Sequence, residues 1–243
     1  MKKSLSLIAV FVVIGFASNP TQAANHYVSG MAGVSWMNNI TPSESYQASS
    51  GNQAANFDLK SGINALGAVG CDYGNYRLEA EIGYQQNKLR SGVDSIDGVV
   101  QYYPLEGSRY EMRGDVSVLS LMGNGYYDFH LGSGIDFYAT AGIGVAQVSF
   151  KDMNSVHNYD PVYDVLYDNP NPGYNDHATT LAYQVGAGLA FPVTHNIKLD
   201  LRYRYFATTD FSYGNDWFGT AGKTDITTNV VSHSALIGLR VGF

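Results

Sequence analysis

The sequence predicts an all-β protein: an eight-stranded antiparallel up-and-down transmembrane β-barrel with four long extracellular loops. Three observations predict it. Eight segments alternate apolar residues with small or polar ones at period two. The connections between them alternate strictly between short and long. The aromatic residues of the apolar faces gather at the two ends of the segments, as girdles do at two membrane interfaces.

Met1-Lys2-Lys3, the apolar run Leu5–Phe16 and Thr21-Gln22-Ala23 read as a secretory signal peptide. Cleavage after Ala23 leaves residues 24–243 as the barrel. The run is short for a membrane anchor, and no later stretch is long and apolar enough for a membrane helix. The single cysteine, Cys71, permits no internal disulfide. A formal net charge of −7 argues against a nucleic-acid partner. The 27 Gly and 19 Tyr against 7 Pro suit twisted strands with aromatic belts better than helices.

Strand one is His26–Trp36, with Val28, Ala32, Val34 and Trp36 on one face. Asn38–Asn56 is rich in Ser, Gln and Asn and reads as a loop. Strand two, Gly62–Cys71, carries Ile63, Ala65, Gly67 and Val69 outward, and Asp72–Asn75 is a tight turn. In strand three Tyr76, Leu78, Ala80, Ile82 and Tyr84 alternate with Arg77, Glu79, Glu81, Gly83 and Gln85. Asn87–Gly114 reads as a second loop. Strand four, Asp115–Tyr127, has an ambiguous facing. Asn is costly in lipid, so Asn124 and Ser120 are placed inside and Leu119, Leu121 and Tyr127 outside.

After the short connection Asp128–Gly134, strand five is Ile135–Ser149, with Phe137, Ala139, Ala141, Ile143 and Val145 outward. Lys151–Ala178 is the third loop. Strand six, Thr180–Phe191, puts Leu181, Tyr183, Val185, Ala187 and Leu189 outward. Pro192–Asn196 turns the chain into strand seven, Ile197–Phe206. There Leu199, Leu201, Tyr203 and Tyr205 alternate with Lys198, Asp200, Arg202 and Arg204. Ala207–Asn229 is the fourth loop. The last strand alternates Ala235, Ile237, Leu239, Val241 and Phe243 with Ser234, Leu236, Gly238, Arg240 and Gly242. Its edge needs a partner, and pairing with strand one closes the barrel.

Alternation alone does not separate a membrane barrel from a soluble one. The face opposite the apolar one decides it. That face carries Gly142, Gly144, Gly186, Gly188, Gly238 and Gly242, small residues that fit a crowded narrow interior. The lipid-facing aromatics also sort by height. Tyr76, Tyr127, Phe137, Phe191 and Phe243 lie at the short-turn end; Trp36, Tyr84, Tyr183, Tyr203 and Tyr205 lie at the long-loop end.

The stretch Leu119-Ser-Leu-Met-Gly-Asn-Gly-Tyr-Tyr-Asp-Phe129 resembles the opacity-type surface antigens and major surface proteins of bacteria, which are eight-stranded outer-membrane barrels. Ala139–Ala146, Leu199–Phe206 and Gly238–Phe243 share the resemblance. It implies a surface antigen or adhesin that meets a host, and a terminal Phe243 read by the barrel-assembly machinery. The expected partners are outer-membrane lipid and lipopolysaccharide, that machinery and a host-surface ligand. No cofactor is expected.

Arg77, Glu79, Glu81, Asp136, Lys198, Asp200, Arg202, Arg204 and Arg240 share the inward parity. Strands three and seven face each other across a lumen that side chains fill, so Glu79 and Glu81 should meet Arg202 and Arg204. Buried charges need partners. The set reads as a structural plug of ion pairs, with a gated pore as the alternative. In the third loop Tyr159-Asp160, Tyr163-Asp164 and Tyr167-Asp168 repeat every four residues. Tyr supplies contact area at low entropic cost, which suits recognition. A Ca²⁺ site and a plain solvated loop are the alternatives, and the spacing matches no EF-hand.

Ser232-His233-Ser234 invites an enzymatic reading. Neighbouring strand residues point to opposite faces, however, so His233 has no serine to activate. Gly142–Val145 is not a nucleotide loop, because no helix follows it. Three classes stand: a surface antigen or adhesin, a narrow small-solute porin, and a lipid-modifying enzyme, with the first preferred.

Overall fold

The computed structural model describes residues 25–40, 43–44, 53–96, 110–132, 134–160, 165–168, 174–215 and 224–243. The predicted signal peptide lies outside them. Eight long strands form the barrel: β1 (Asn25–Met37), β2 (Gly62–Asp72), β3 (Tyr76–Ile96), β4 (Tyr110–His130), β5 (Asp136–Asp160), β6 (Tyr174–Pro192), β7 (Ile197–Thr208) and β8 (Val231–Gly242). Each pairs antiparallel with its sequence neighbour. β8 returns to β1 with Tyr27 opposite Gly242 and Met37 opposite Ser232, so no strand of the barrel wall is left with an open edge. The Phe243 amide donates to the His26 carbonyl at 2.9 Å and fastens the last residue to the first strand.

The facing is the predicted one. Leu78, Ile82, Ile143, Leu181 and Ile237 are exposed on the outer wall, Ile143 to 74%. Arg77, Glu81, Asn124 and Arg204 are buried inside. A continuous outer band of exposed aliphatic side chains is intolerable in water and is what a bilayer covers. The lower aromatic girdle is packed: Tyr76 meets Tyr127 at 5.0 Å, Tyr127 meets Phe129 at 4.7 Å, and Phe129 meets Phe137 at 5.7 Å.

The short turns sit at one end. In the first, Gly74 adopts φ +91° and its amide donates to Asp72 Oδ1 at 2.8 Å, a conformation glycine reaches without strain. Inside the barrel, a Cβ at Gly188 would overlap the Tyr138 ring and the Leu201 carbonyl. The missing side chain is what lets Tyr138 lie across the β6 wall.

Five strand boundaries correct the sequence reading. Residues 87–114 and 151–178 were expected to be loops, yet β3 runs on to Ile96, β4 starts at Tyr110, β5 continues to Asp160 and β6 starts at Tyr174. The connection Asp128–Gly134 is also shorter than expected, because β4 continues through His130. β3 and β4 have 21 residues each and β5 has 25, whereas about 9–11 residues cross a bilayer. The surplus projects as a ladder beyond the membrane, where no lipid requires an apolar outer face and the alternation that marks a membrane strand fades.

Shorter strands extend this projection. Gln53–Leu59 pairs with the outer part of β3, Ser43–Glu44 with Gln53–Leu59, Thr224–Thr228 with Ser43–Glu44, and Phe211–Asn215 with Thr224–Thr228. Val165–Asp168 folds back on the end of β5.

Candidate functional site: the lumen and the outer projection

The lumen is layered. At the short-turn end Asp136 takes Lys198 Nζ at 2.5 Å and His130 Nδ1 at 2.6 Å, where Lys198 and His130 are partly open to solvent. Deeper, Arg240 forks onto Asp200 with Nε and Nη2 at 3.1 and 3.0 Å. Arg77 forks onto Asp128 at 2.6 and 2.8 Å. Its guanidinium lies 4.2 Å from the Tyr126 ring centroid and 5.1 Å from that of Tyr138. Planar guanidinium groups match carboxylates in two-point pairs and also stack on rings.

At mid-height Glu79 accepts from Tyr126 Oη at 2.5 Å and Tyr27 Oη at 3.2 Å, with Arg202 Nη2 at 3.8 Å. Glu81 meets Arg202 Nη1 at 2.9 Å and Arg204 Nη2 at 3.7 Å, and accepts from Gln184 and Asn124 at 3.1 and 3.2 Å. Arg204 Nε donates to Gln184 Oε1, and its guanidinium stacks 4.5 Å from the Phe206 ring centroid. Every charge named from the sequence as interior is thus in this column.

The sequence reading missed Asp128. It shares the inward parity of Ser120 and Asn124 on β4, and the signal was there once alternation is carried past Tyr127. With Asp128 the signs balance: Arg77, Lys198, Arg202, Arg204 and Arg240 stand against Glu79, Glu81, Asp128, Asp136 and Asp200.

Above the charges lies a neutral polar layer. Asn64 donates to Ser234 at 2.9 Å, Ser232 to Gln85 at 3.1 Å, and Gln85 and Ser35 to Asn87 at 3.0 and 3.1 Å. Higher still the interior turns apolar. Met37, Leu89, Val116, Val118, Met122, Val148, Phe150, Ala182 and Phe206 form one buried cluster, joined by Ile40, Leu59, Phe211 and Val230 from the outer connections. This layer was not anticipated. It explains why the facing of β4 was ambiguous: Val116, Val118 and Met122 make its inner face as apolar as its outer one.

The family model of the outer membrane protein β-barrel domain matches residues 8–239.

The chain belongs to that family.

It is an outer-membrane protein of Gram-negative type, with membrane lipid around its wall. Across its full length it is 24% identical to the outer membrane protein PagN of Salmonella typhimurium, each chain being covered completely. It is 28% identical over 190 residues to a Rickettsia conorii protein named "Putative adhesin RC1281", covering 75% of this chain and 69% of that one. The fold is similar to that of neisserial surface protein A at a TM-score of 0.50 and 19% identity, over 91% of this chain and 100% of that one. At that identity the likeness is one of fold.

The remaining sequence candidates fall on the outer projection and the rim. Tyr159 and Asp160 close a hairpin in register with Leu166 and Val165, while Tyr167 and Asp168 pair with Asn158 and His157. Tyr163 and Asp164 lie outside the described residues. Among the described residues no group of three His, Cys, Asp or Glu is placed to hold a metal ion. Ser232 and Ser234 bond into the lumen, whereas His233 Nδ1 lies 2.6 Å from Tyr203 Oη on the outer wall. The wall separates the imidazole from both hydroxyls, so this barrel family member holds no serine–histidine pair there.

Proposed function

We propose that the protein is a non-enzymatic surface adhesin whose work is done by its outer projection. The observation that carries this is the two-part seal of the lumen. An ion-pair column fills its lower half and an apolar cluster caps it above. A channel needs a wetted path, and a sealed barrel leaves the projection as the surface free to specialise. Relatives named as a surface protein and an adhesin support the same reading.

In this reading residues 1–23 are a secretory leader, and Phe243, exposed to 78% beside His26, is the mark recognised by the barrel-assembly machinery. The hairpin carrying Tyr159, Asp160, Tyr163, Asp164, Tyr167 and Asp168 is the leading contact surface. Its acidic and aromatic composition suits a basic partner, with affinity falling as salt rises.

The test replaces residues 157–168 with a two-residue turn. The folded barrel should keep its heat-modifiable gel shift, while bacteria expressing it lose attachment to host cells. Attachment at the wild-type level would move the function elsewhere.

A further inference from the structure

β6 loses one of its two neighbours where it leaves the membrane. Along the barrel wall it lies between β5 and β7, and its ladder with β7 ends at Ala182 opposite Thr208. One more bond follows, the Thr209 amide donating to the Leu181 carbonyl at 2.9 Å. Farther out β6 stays in register with β5 as far as Tyr174 opposite Met153. The chain after Thr209 does not continue the ladder. It forms Phe211–Asn215, which pairs with Thr224–Thr228. Among the described residues no strand pairs with β6 on that side from Thr180 outward. Val165–Asp168 lies farther out on the same side of β5, and β5 is the one described strand it pairs with.

Parity decides which backbone groups this edge presents. The N–H and C=O of one strand residue point to the same side, and those of the next residue to the other. The Leu181 carbonyl points toward β7, so the backbone groups of Thr179, His177 and Asn175 point to the open side. All three residues are exposed. The His177 amide is met by the carboxylate of its own neighbour, Asp176 Oδ1, at 2.7 Å, which satisfies a donor that no strand takes. Sheet edges are commonly blunted by Lys, Pro or a bulge. Here the bulge lies on β5, between Phe150 and Met153, and Asn175–Thr179 contains no Lys or Pro.

Charge and orientation select the occupant. At the outer ends of β6, β7, β8 and β1 the described residues include Asp176 and Asp210 but no Lys or Arg, and Asp168 follows on the outer hairpin. Asp210 is held by Asn229 at 2.9 Å. Asp176 bonds to an amide that an incoming strand would take over, which releases its carboxylate toward a cation on that strand, since cross-strand neighbours share a face. A second copy in the same membrane does not fit. Both copies would raise β6 from the bilayer at the same tilt of about 40°, and rotation about the membrane normal crosses the two strands instead of aligning them.

We propose that the outer edge of β6, Asn175–Thr179, captures an extended Lys- or Arg-bearing segment of a host protein as an added strand. Main-chain hydrogen bonds supply the attraction, and the Asp176 carboxylate supplies the preference for a basic segment. The proposal rests on the adhesin reading and gives the partner's segment a conformation and a charge.

The experiment titrates the full protein, in phosphatidylcholine nanodiscs, into a fluorescent peptide of about eight residues alternating Lys with Thr, and reads anisotropy. A second peptide has the same sequence with its backbone amides N-methylated, so it keeps every charge and cannot complete the ladder. The wild-type protein should bind the first peptide more tightly by about tenfold or more. His177→Pro removes an amide that faces away from β5 and should weaken the first peptide by about the same factor. Asp176→Asn should weaken it by about threefold and flatten its dependence on salt. Equal binding of the two peptides overturns the proposal, as does wild-type affinity in His177→Pro. So does a basic peptide that fails to bind, or binds no better than one alternating Glu with Thr. Should His177→Pro fail to fold, the methylated and unmethylated peptides on the wild-type protein decide. Host-cell attachment separates this proposal from the adhesin reading. Cells carrying His177→Pro should lose attachment along with peptide binding. If they attach at the wild-type level, capture at this edge is overturned and the adhesin reading stands. If wild-type cells do not attach, the adhesin reading falls, and the peptide titration still decides the edge.

Discussion

Arg202 on β7 spans the lumen to Glu81 on β3, its Nη1 2.9 Å from Oε2, with both side chains shut away from solvent. The two residues lie 121 positions apart. They meet because strands three and seven of an eight-stranded cylinder are diametrically opposed across a lumen narrow enough for side chains to span.

This pair should be strongly coupled. Glu81→Gln leaves Arg202 and Arg204 without their shared carboxylate and should cost about 3–5 kcal/mol. Adding Arg202→Met should recover much of that, since the guanidinium that faced the lost carboxylate is then gone as well. Urea unfolding in lipid vesicles reads the cycle. A double variant as unstable as the two single changes added together would show the residues to be uncoupled.

Position in the lumen should grade the cost of losing a carboxylate. Asp128→Asn strips the buried Arg77 of its two-point partner and should destabilise by about 3 kcal/mol or more. Asp136→Asn, whose partner Lys198 is 36% exposed, should cost under about 1 kcal/mol. Equal losses in the same unfolding assay would contradict the layered lumen.

Refolded protein in planar bilayers should show no steady conductance. Ions would have to displace the Arg77–Asp128 and Arg202–Glu81 pairs and then pass Val148, Phe150 and Phe206 in the apolar cap. Stable channels of porin size would refute the seal.

Two glycines should respond oppositely to an added methyl. Gly188→Ala pushes a Cβ into Tyr138 and the neighbouring backbone and should cost about 1–3 kcal/mol as overpacking. Gly30→Ala meets nothing within 4 Å on the lipid face. It should be neutral, or stabilising by up to about 1 kcal/mol through the unfolded state. The difference in denaturation midpoints checks both.

Much of the barrel was legible in the chain, because the period of two is a local property. The alternation of Leu78 and Ile82 with Glu79 and Glu81 assigns inside and outside without reference to any other strand. Strand number, closure of β8 on β1 and the inward charges all followed from that alternation and from the spacing of turns. Where alternation was stopped too early, at Tyr127, Asp128 went unseen.

What tertiary structure decided is everything that depends on register and height. The sequence put Arg77 inside but did not say that Asp128 and the rings of Tyr126 and Tyr138 would enclose it, because cross-lumen neighbours are set by the stagger of eight strands together. The apolar cap was hidden for a related reason. Placing Ser120 and Asn124 inside puts Val116, Val118 and Met122 on the same inner face, but only the fold shows that they meet Val148, Phe150 and Phe206 in one buried cluster. Beyond the membrane a strand needs no lipid-facing apolar wall, so Gln53–Leu59 and the outer halves of β3, β4 and β5 looked like loops. Only their backbone pairing, a long-range property, makes them strands.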